Sequence, residues 1–201
     1  VALSDVSLAN SALSKIGGGK IMALTDNTPQ GILVNARFAA VRDAELTRNV
    51  WRFSVRRTSL AALSTAPSFG YLYQYQLPTD CLRLIVAGQE APGLDTQEFR
   101  SDVDNLDYTI EGRNILTNLI SPLYIRYVTQ VTDPTLFDNS FAEAFASRLA
   151  YELATALSDS SSRKEAAWTD YQFALRDARR VNALQQPPQH LADDSWLASR
   201  Q

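Results

Sequence analysis

The stretch SFAEAFASRLAYELATAL, residues 140–157, sets Phe141, Phe145, Leu149, Leu153 and Leu157 at intervals of four, which is one apolar stripe of a helix. Ser140 with Glu143 three residues on predicts a capping box at its start. Ser162 with Glu165 repeats that pattern, and Ala167, Tyr171, Ala174, Ala178 and Val181 follow at three-four spacing, fading near Gln185. Two helices so closely joined are expected to pair antiparallel.

Helical periodicity returns at the other end of the chain. Ser4 or Asp5 can cap a first helix in which Val6, Ala9, Leu13 and Ile16 form the buried stripe, and Gly17, Gly18 and Gly19 then end it. Thr28-Pro29 is an N-cap followed by proline at the first helical position. It opens a second helix expected to run to about Leu63, with room for a break at 51–54. Val34, Phe38 and Val41 form its apolar stripe, and Ala36, Ala40 and Ala44 a second stripe small enough to admit a neighbouring helix.

Between the helical ends the period changes to two. Ala66-Pro67 and Phe69-Gly70 break the helix, and Tyr71, Tyr73 and Tyr75 then alternate with Leu72, Gln74 and Gln76, predicting a strand with a tyrosine row on one face. Cys81 to Ala87 leans towards strand. Tyr108 to Ile110 and Ile115 to Thr117 flank Glu111-Gly112-Arg113-Asn114, a hairpin turn. Leu123 to Val131 alternates again and stops at Asp133-Pro134. The expected fold class is α+β: an antiparallel helical bundle made by the N- and C-terminal helices, with an inserted antiparallel sheet of about four to six strands. The corresponding divisions are residues 1–64 and 132–185 for the helices, 65–131 for the β domain, and 186–201 for an extended C-terminal tail.

Composition bounds the chemistry. The chain has 201 residues, 45% apolar and 20% charged, which is ordinary globular composition. One cysteine, Cys81, and one histidine, His190, build neither a disulfide nor a zinc site of Cys and His ligands. Net charge is −3, so no global positive field draws in phosphate backbones. Cations are skewed, 16 arginines to 3 lysines, and arginine is favoured at partner surfaces for its planar fork. No apolar run is long enough to cross a bilayer, and the first ten residues lack a secretory pattern, so folding in the cytoplasm without membrane contact is expected.

Catalytic patterns are few. Gly17-Gly18-Gly19-Lys20 fails as a phosphate loop, because Ser14 occupies the required glycine position and Ile21 follows the lysine; a helix C-cap accounts for the glycines. A nucleophilic triad would need His190, which lies in the expected tail. The 22 acidic residues leave paired-carboxylate glycoside hydrolysis open, with Asp95 to Asp107 the richest loop, and Asp102, Asp104 and Asp107 could bind a hard cation or a sugar. No catalytic, cofactor-binding or metal-binding residue is assigned.

Binding surfaces are more legible. Arg48, Arg52 and Arg56 fall one helical turn apart if the second helix continues, with Arg57 beside them: an inter-subunit or other partner contact, a DNA contact, or a solvated face. Arg176, Arg179 and Arg180 complement the negative end of the last helix. Tyr71, Tyr73 and Tyr75 are a stacking platform or a half-buried sheet face. In the tail, Pro187, Pro188, His190, Trp196, Leu197 and Arg200 form a partner-docking set centred on the tryptophan.

Several short strings add a resemblance. Ala12-Leu13-Ser14-Lys15-Ile16-Gly17, Leu24-Thr25-Asp26-Asn27, Val41-Arg42-Asp43 and Trp51-Arg52-Phe53 open the series. Phe69-Gly70-Tyr71, Leu77-Pro78-Thr79-Asp80-Cys81-Leu82-Arg83, Tyr127, Asp133-Pro134, Phe137-Asp138 and the alanine-rich stretch from Phe141 to Leu157 continue it. In order and spacing they resemble the tail tubular protein A family of short-tailed bacteriophages, the head-to-tail adaptors or gatekeepers. The resemblance spans residues 3 to about 185.

It implies a non-enzymatic ring, commonly dodecameric, that joins the portal protein to the tail nozzle and lets double-stranded DNA pass through its channel. The place of action would be the virion tail at the portal vertex, after assembly in host cytoplasm from a monomer. The tail residues would dock on the portal, the arginines on the portal or a neighbouring copy, and the tyrosines on the nozzle. A tail-associated hydrolase of host surface polysaccharide is the alternative function.

Overall fold

A computed structural model describes residues 3–88, 108–158 and 160–185. They form an α+β fold. The helices are α1 (Asp5–Lys15), α2 (Pro29–Arg48), α3 (Asn139–Ser158) and α4 (Ser161–Leu184). The strands are β1 (Val55–Leu60), β2 (Tyr73–Gln76), β3 (Cys81–Gly88), β4 (Tyr108–Glu111), β5 (Asn114–Thr117) and β6 (Leu123–Thr129). Instead of the single expected sheet there are two antiparallel three-stranded sheets, ordered β1-β6-β3 and β2-β5-β4.

Local chemistry sets the helix ends. Ser4 and Ser7 exchange bonds at the start of α1, Ser7 N to Ser4 Oγ at 3.1 Å and Ser4 N to Ser7 Oγ at 2.9 Å. At its end Gly17 has φ +72°, while Gly18 N donates to Leu13 O at 2.8 Å and Gly17 N to Ser14 O at 3.2 Å. That pair is a Schellman cap, the role expected of the glycines. The stripe that enters the core is Leu8, Ala9, Ala12, Leu13 and Ile16; Val6 stays half-buried at its margin. Asn10 fastens the following loop by bonding both backbone groups of Ile21, at 2.8 and 2.9 Å. Thr28 Oγ1 caps α2 through Gly31 N at 3.1 Å, and a Cβ on Gly31 would collide with the Asp26 carbonyl oxygen.

Three expectations about helix boundaries need correction. α2 stops at Arg48 instead of running to about Leu63. Trp51 turns inward, 1% exposed, its indole Nε1 donating to the Glu45 carbonyl at 2.9 Å, and residues 52–54 form one 3₁₀ turn. The next residues become β1, in register with β6 from Val55 opposite Val128 to Leu60 opposite Leu123. Ladder pairing and burial of two aromatic rings override the helical reading, so the sheets begin about ten residues before the expected boundary at 64/65. α3 begins at Asn139, with Ala142 N bonded to Asp138 O at 2.9 Å, so Ser140 lies within the first turn and not at the cap position. Ser160, not Ser162, caps α4 through Arg163 N.

Both ends of the chain contribute to one core. It takes in Leu8, Leu13, Val34, Phe38 and Leu46 from the first third and Phe141, Phe145, Leu149, Leu153, Tyr171, Leu175 and Ala178 from the last. Trp51, Phe53 and Phe137 each approach Phe141 at 5.0 Å between ring centroids, and Phe38 meets Phe145 edge-on at 5.1 Å. Along α4, Ala167, Tyr171, Leu175 and Ala178 are buried, whereas Val181 is 37% exposed. Arg148 lies over Tyr171 while Tyr151 meets Trp168, so the partner's number falls as the α3 number rises: the pair is antiparallel. Ala36, Ala40 and Ala44 are exposed, and no described helix covers them.

A second core, Tyr75, Leu77, Cys81, Ala87, Ile115, Leu123, Ile125 and Tyr127, lies between the sheets. The hairpin appears as expected: Glu111 pairs with Asn114, and Gly112 takes φ +60° in the two-residue turn. Asp80 steadies the entry to β3, accepting from Thr129 Oγ1 at 2.6 Å and Tyr127 OH at 3.2 Å.

Candidate functional site

The arginines expected to form one helical edge are dispersed by the strand that follows α2. Arg48 closes that helix, Arg52 opens the 3₁₀ turn, and Arg56 and Arg57 are adjacent in β1 and point to opposite sheet faces. Arg56 stands opposite Tyr127, Arg57 opposite Arg126. No single contiguous basic edge results.

Arg48 and Arg52 instead meet α4. Arg48 Nη1 donates to Tyr171 OH at 2.8 Å, and that hydroxyl donates to Glu45 Oε1, also at 2.8 Å. Arg48 lies 3.7 Å from the same carboxylate, and the Arg48 and Arg148 guanidinium carbons stand 5.8 and 5.5 Å from the Tyr171 ring centroid. Glu45 is 3% exposed and Tyr171 fully buried. Burial, reinforced by the bond to Glu45, pushes the Tyr171 phenol up to about 12. The result is a set of charge-assisted hydrogen bonds between α2 and α4, with the Arg148 guanidinium of α3 over the Tyr171 ring and Glu45 Oε2 left without a hydrogen bond among the described residues.

Two to three turns further along α4, the linker after α2 is clasped to the end of that helix. Arg179 Nε donates to Asn49 Oδ1 at 2.8 Å, Asn182 Nδ2 to Val50 O at 2.9 Å, and Arg52 N to Asn182 Oδ1 at 2.9 Å. Arg48, Arg52 and Arg179 are all exposed there, so two basic groups remote in sequence share one surface. The sequence reading did not connect them. The signal was Glu45, a carboxylate at the next step of the stripe Val34, Phe38, Val41, where burial demands a partner.

The tyrosines do not form an exposed platform. Tyr75 is fully buried, its hydroxyl donating to Leu119 O at 2.7 Å, and Tyr73 packs against the sheet core. Tyr71 precedes β2 and shares a 2.8 Å hydroxyl contact with Thr109, whose strand neighbour Leu116 pairs with Gln74, so it reaches the opposite face. Sheet alternation puts Tyr73 and Tyr75 towards the core, and the row ends before Tyr71.

The docking set Pro187, Pro188, His190, Trp196, Leu197 and Arg200 and the acidic loop Asp95 to Asp107 lie outside the described residues. Among the described residues no group of three or more His, Cys, Asp and Glu side chains is placed to hold a metal ion. No described helix is long and apolar enough to cross a membrane. Burial raises the Cys81 thiol, which makes it a poorer nucleophile at neutral pH. What the described residues offer is an exposed basic surface at the α2–α4 junction. No protein-family model and no curated protein matches the chain.

Proposed function

We propose that this chain is a structural, non-enzymatic adaptor of a short-tailed bacteriophage, joining portal to tail nozzle as a ring of copies around the DNA channel. The ordered series of short strings from Ala12 to Leu157 carries the reading, through its resemblance to the tail tubular protein A family. A helical body built from both chain ends, with the sheets held between them, suits such a part: the bundle stands beside its neighbours while the β module faces the nozzle. A net charge of −3 suits a channel along which phosphate must slide. The arginines at the α2–α4 junction would serve portal or neighbour contacts, and the segment 186–201 would seat on the portal.

Electron microscopy of the chain mixed with its portal tests the reading. A collar of added density at the vertex is expected, and a portal left bare at saturating concentration would overturn it. For the segment itself, deletion of 186–201 should leave the circular-dichroism spectrum intact and weaken portal capture; undiminished capture removes that assignment.

A further inference from the structure

Charge is segregated in this chain. The strands of the sheet β1-β6-β3 read VRRTSL, LYIRYVT and CLRLIVAG, which hold four arginines, Arg56, Arg57, Arg83 and Arg126, and neither a carboxylate nor a lysine. The whole chain carries −3, so the sheet runs against the overall balance. Asp80, just before β3, is already engaged by Thr129 and Tyr127.

The two edges of that sheet differ. β3 shifts register against β6 twice, and bulges of that kind turn an edge away from further pairing. β1 pairs with β6 over six consecutive residues without a shift. Among the described residues, Arg56 to Leu60 make no backbone–backbone hydrogen bond outside that ladder. Alternate N–H and C=O groups of β1 therefore face away from the sheet with no strand beside them. Arg56 and Arg57 are exposed on this edge, one on each face, and among the described residues neither is in an ion pair.

A ligand for this edge has both guanidiniums and open ladder groups to satisfy. A phosphate backbone answers the first and leaves the second unmatched, whereas an extended acidic peptide answers both. The β1 strand of a second copy would bring more arginine and no carboxylate.

We propose that β1 is the docking edge for an extended acidic segment of a partner protein, added as a fourth strand in the antiparallel sense, the more stable pairing. Successive residues of a strand face opposite ways, so the segment is marked by two adjacent acidic residues. One carboxylate meets Arg56 on the face of Tyr127, and the other meets Arg57 on the face of Arg126. This goes beyond the adaptor reading and does not rest on it.

The test uses the full chain and end-blocked synthetic hexapeptides, with backbone amide chemical shifts as the readout. Val-Thr-Val-Glu-Glu-Val, whose glutamates fall opposite Arg57 and Arg56, should shift the amides of β1 and β6 and leave those of α3 unmoved. Val-Thr-Val-Lys-Lys-Val, and the glutamate peptide N-methylated at every residue, should each bind at least about tenfold more weakly. Arg56→Glu combined with Arg57→Glu should exchange the preference to the lysine peptide. The peptide variants leave the protein untouched, so they decide the matter even where that double variant does not fold. No shift in β1 at millimolar glutamate peptide, equal binding of the lysine peptide, or binding that survives N-methylation would overturn the proposal. Duplex DNA that shifts the β1 amides at lower concentration than the glutamate peptide would overturn it in favour of phosphate.

Discussion

Tyr171 carries a hydroxyl into the middle of the helical core, where an unbonded one would cost about 1–3 kcal/mol. Glu45 and Arg48 on α2 complete its bonds, and the same bonds keep a buried carboxylate from lacking a partner. Replacing Tyr171 with Phe should therefore lower the unfolding free energy by about 1–3 kcal/mol at neutral pH, as read from urea midpoints. The pH dependence follows from linkage. The phenol ionises at 10.0 when free and about 12 in the folded chain, so its contribution is whole below pH 10 and is lost as pH rises towards 12. Urea titrations at alkaline pH should show the unaltered chain losing stability over that window more steeply than Tyr171→Phe. Equal slopes would mean that the hydroxyl is not held as described.

At the scale of elements, the periodic segments were legible and their ends were not. The four-residue stripe of α3 and the glycine cap of α1 required only neighbouring residues, which is why both appear where expected. Ser140 and Ser162 show the limit, because serine and glutamate three apart also occur inside a first turn, and the residue that fills the cap depends on where the incoming chain bends. Replacing Ser4 with Ala should cost about 1 kcal/mol, since it removes the hydroxyl that accepts from Ser7 N. Replacing Ser140 with Ala should change stability by less than about 0.5 kcal/mol. Thermal unfolding of the two variants checks both, and a larger loss for Ser140 would contradict the start of α3. The strand β1 was hidden for a different reason. Val55 to Leu60 carries no long alternation of its own, and its partner β6 lies about seventy residues away, beyond any local window.

Over the whole molecule, two cores divide the described residues. The first and last thirds close the helical one together, and the strands between them enclose the second. Gln130 Nε2 bonds Asp43 Oδ2 at 2.7 Å where β6 returns to the helices, so the connection is fastened as well as covalent. A cavity made in the sheet core should then be felt first in the sheets. Ile115→Ala, at a fully buried site, should cost about 2–5 kcal/mol and raise hydrogen exchange across β2 to β6 more than in α3. Equal acceleration in both would show the two cores opening as one unit.

The sequence by itself determined the α, β, α order, the stripes of the helices, the hairpin at Gly112 and the exclusion of Cys/His zinc chemistry, because each rests on local spacing or on counting residues. Only the tertiary structure decided that α2 gives way to a strand after Trp51, that the strands divide into two sheets, that Tyr73 and Tyr75 face inward while Tyr71 does not, and that Arg48 and Arg179 share a surface. Those outcomes turn on which distant segments bury each other's apolar faces and satisfy each other's polar groups, and the free energy of such pairings exceeds the small local preferences that a linear reading detects.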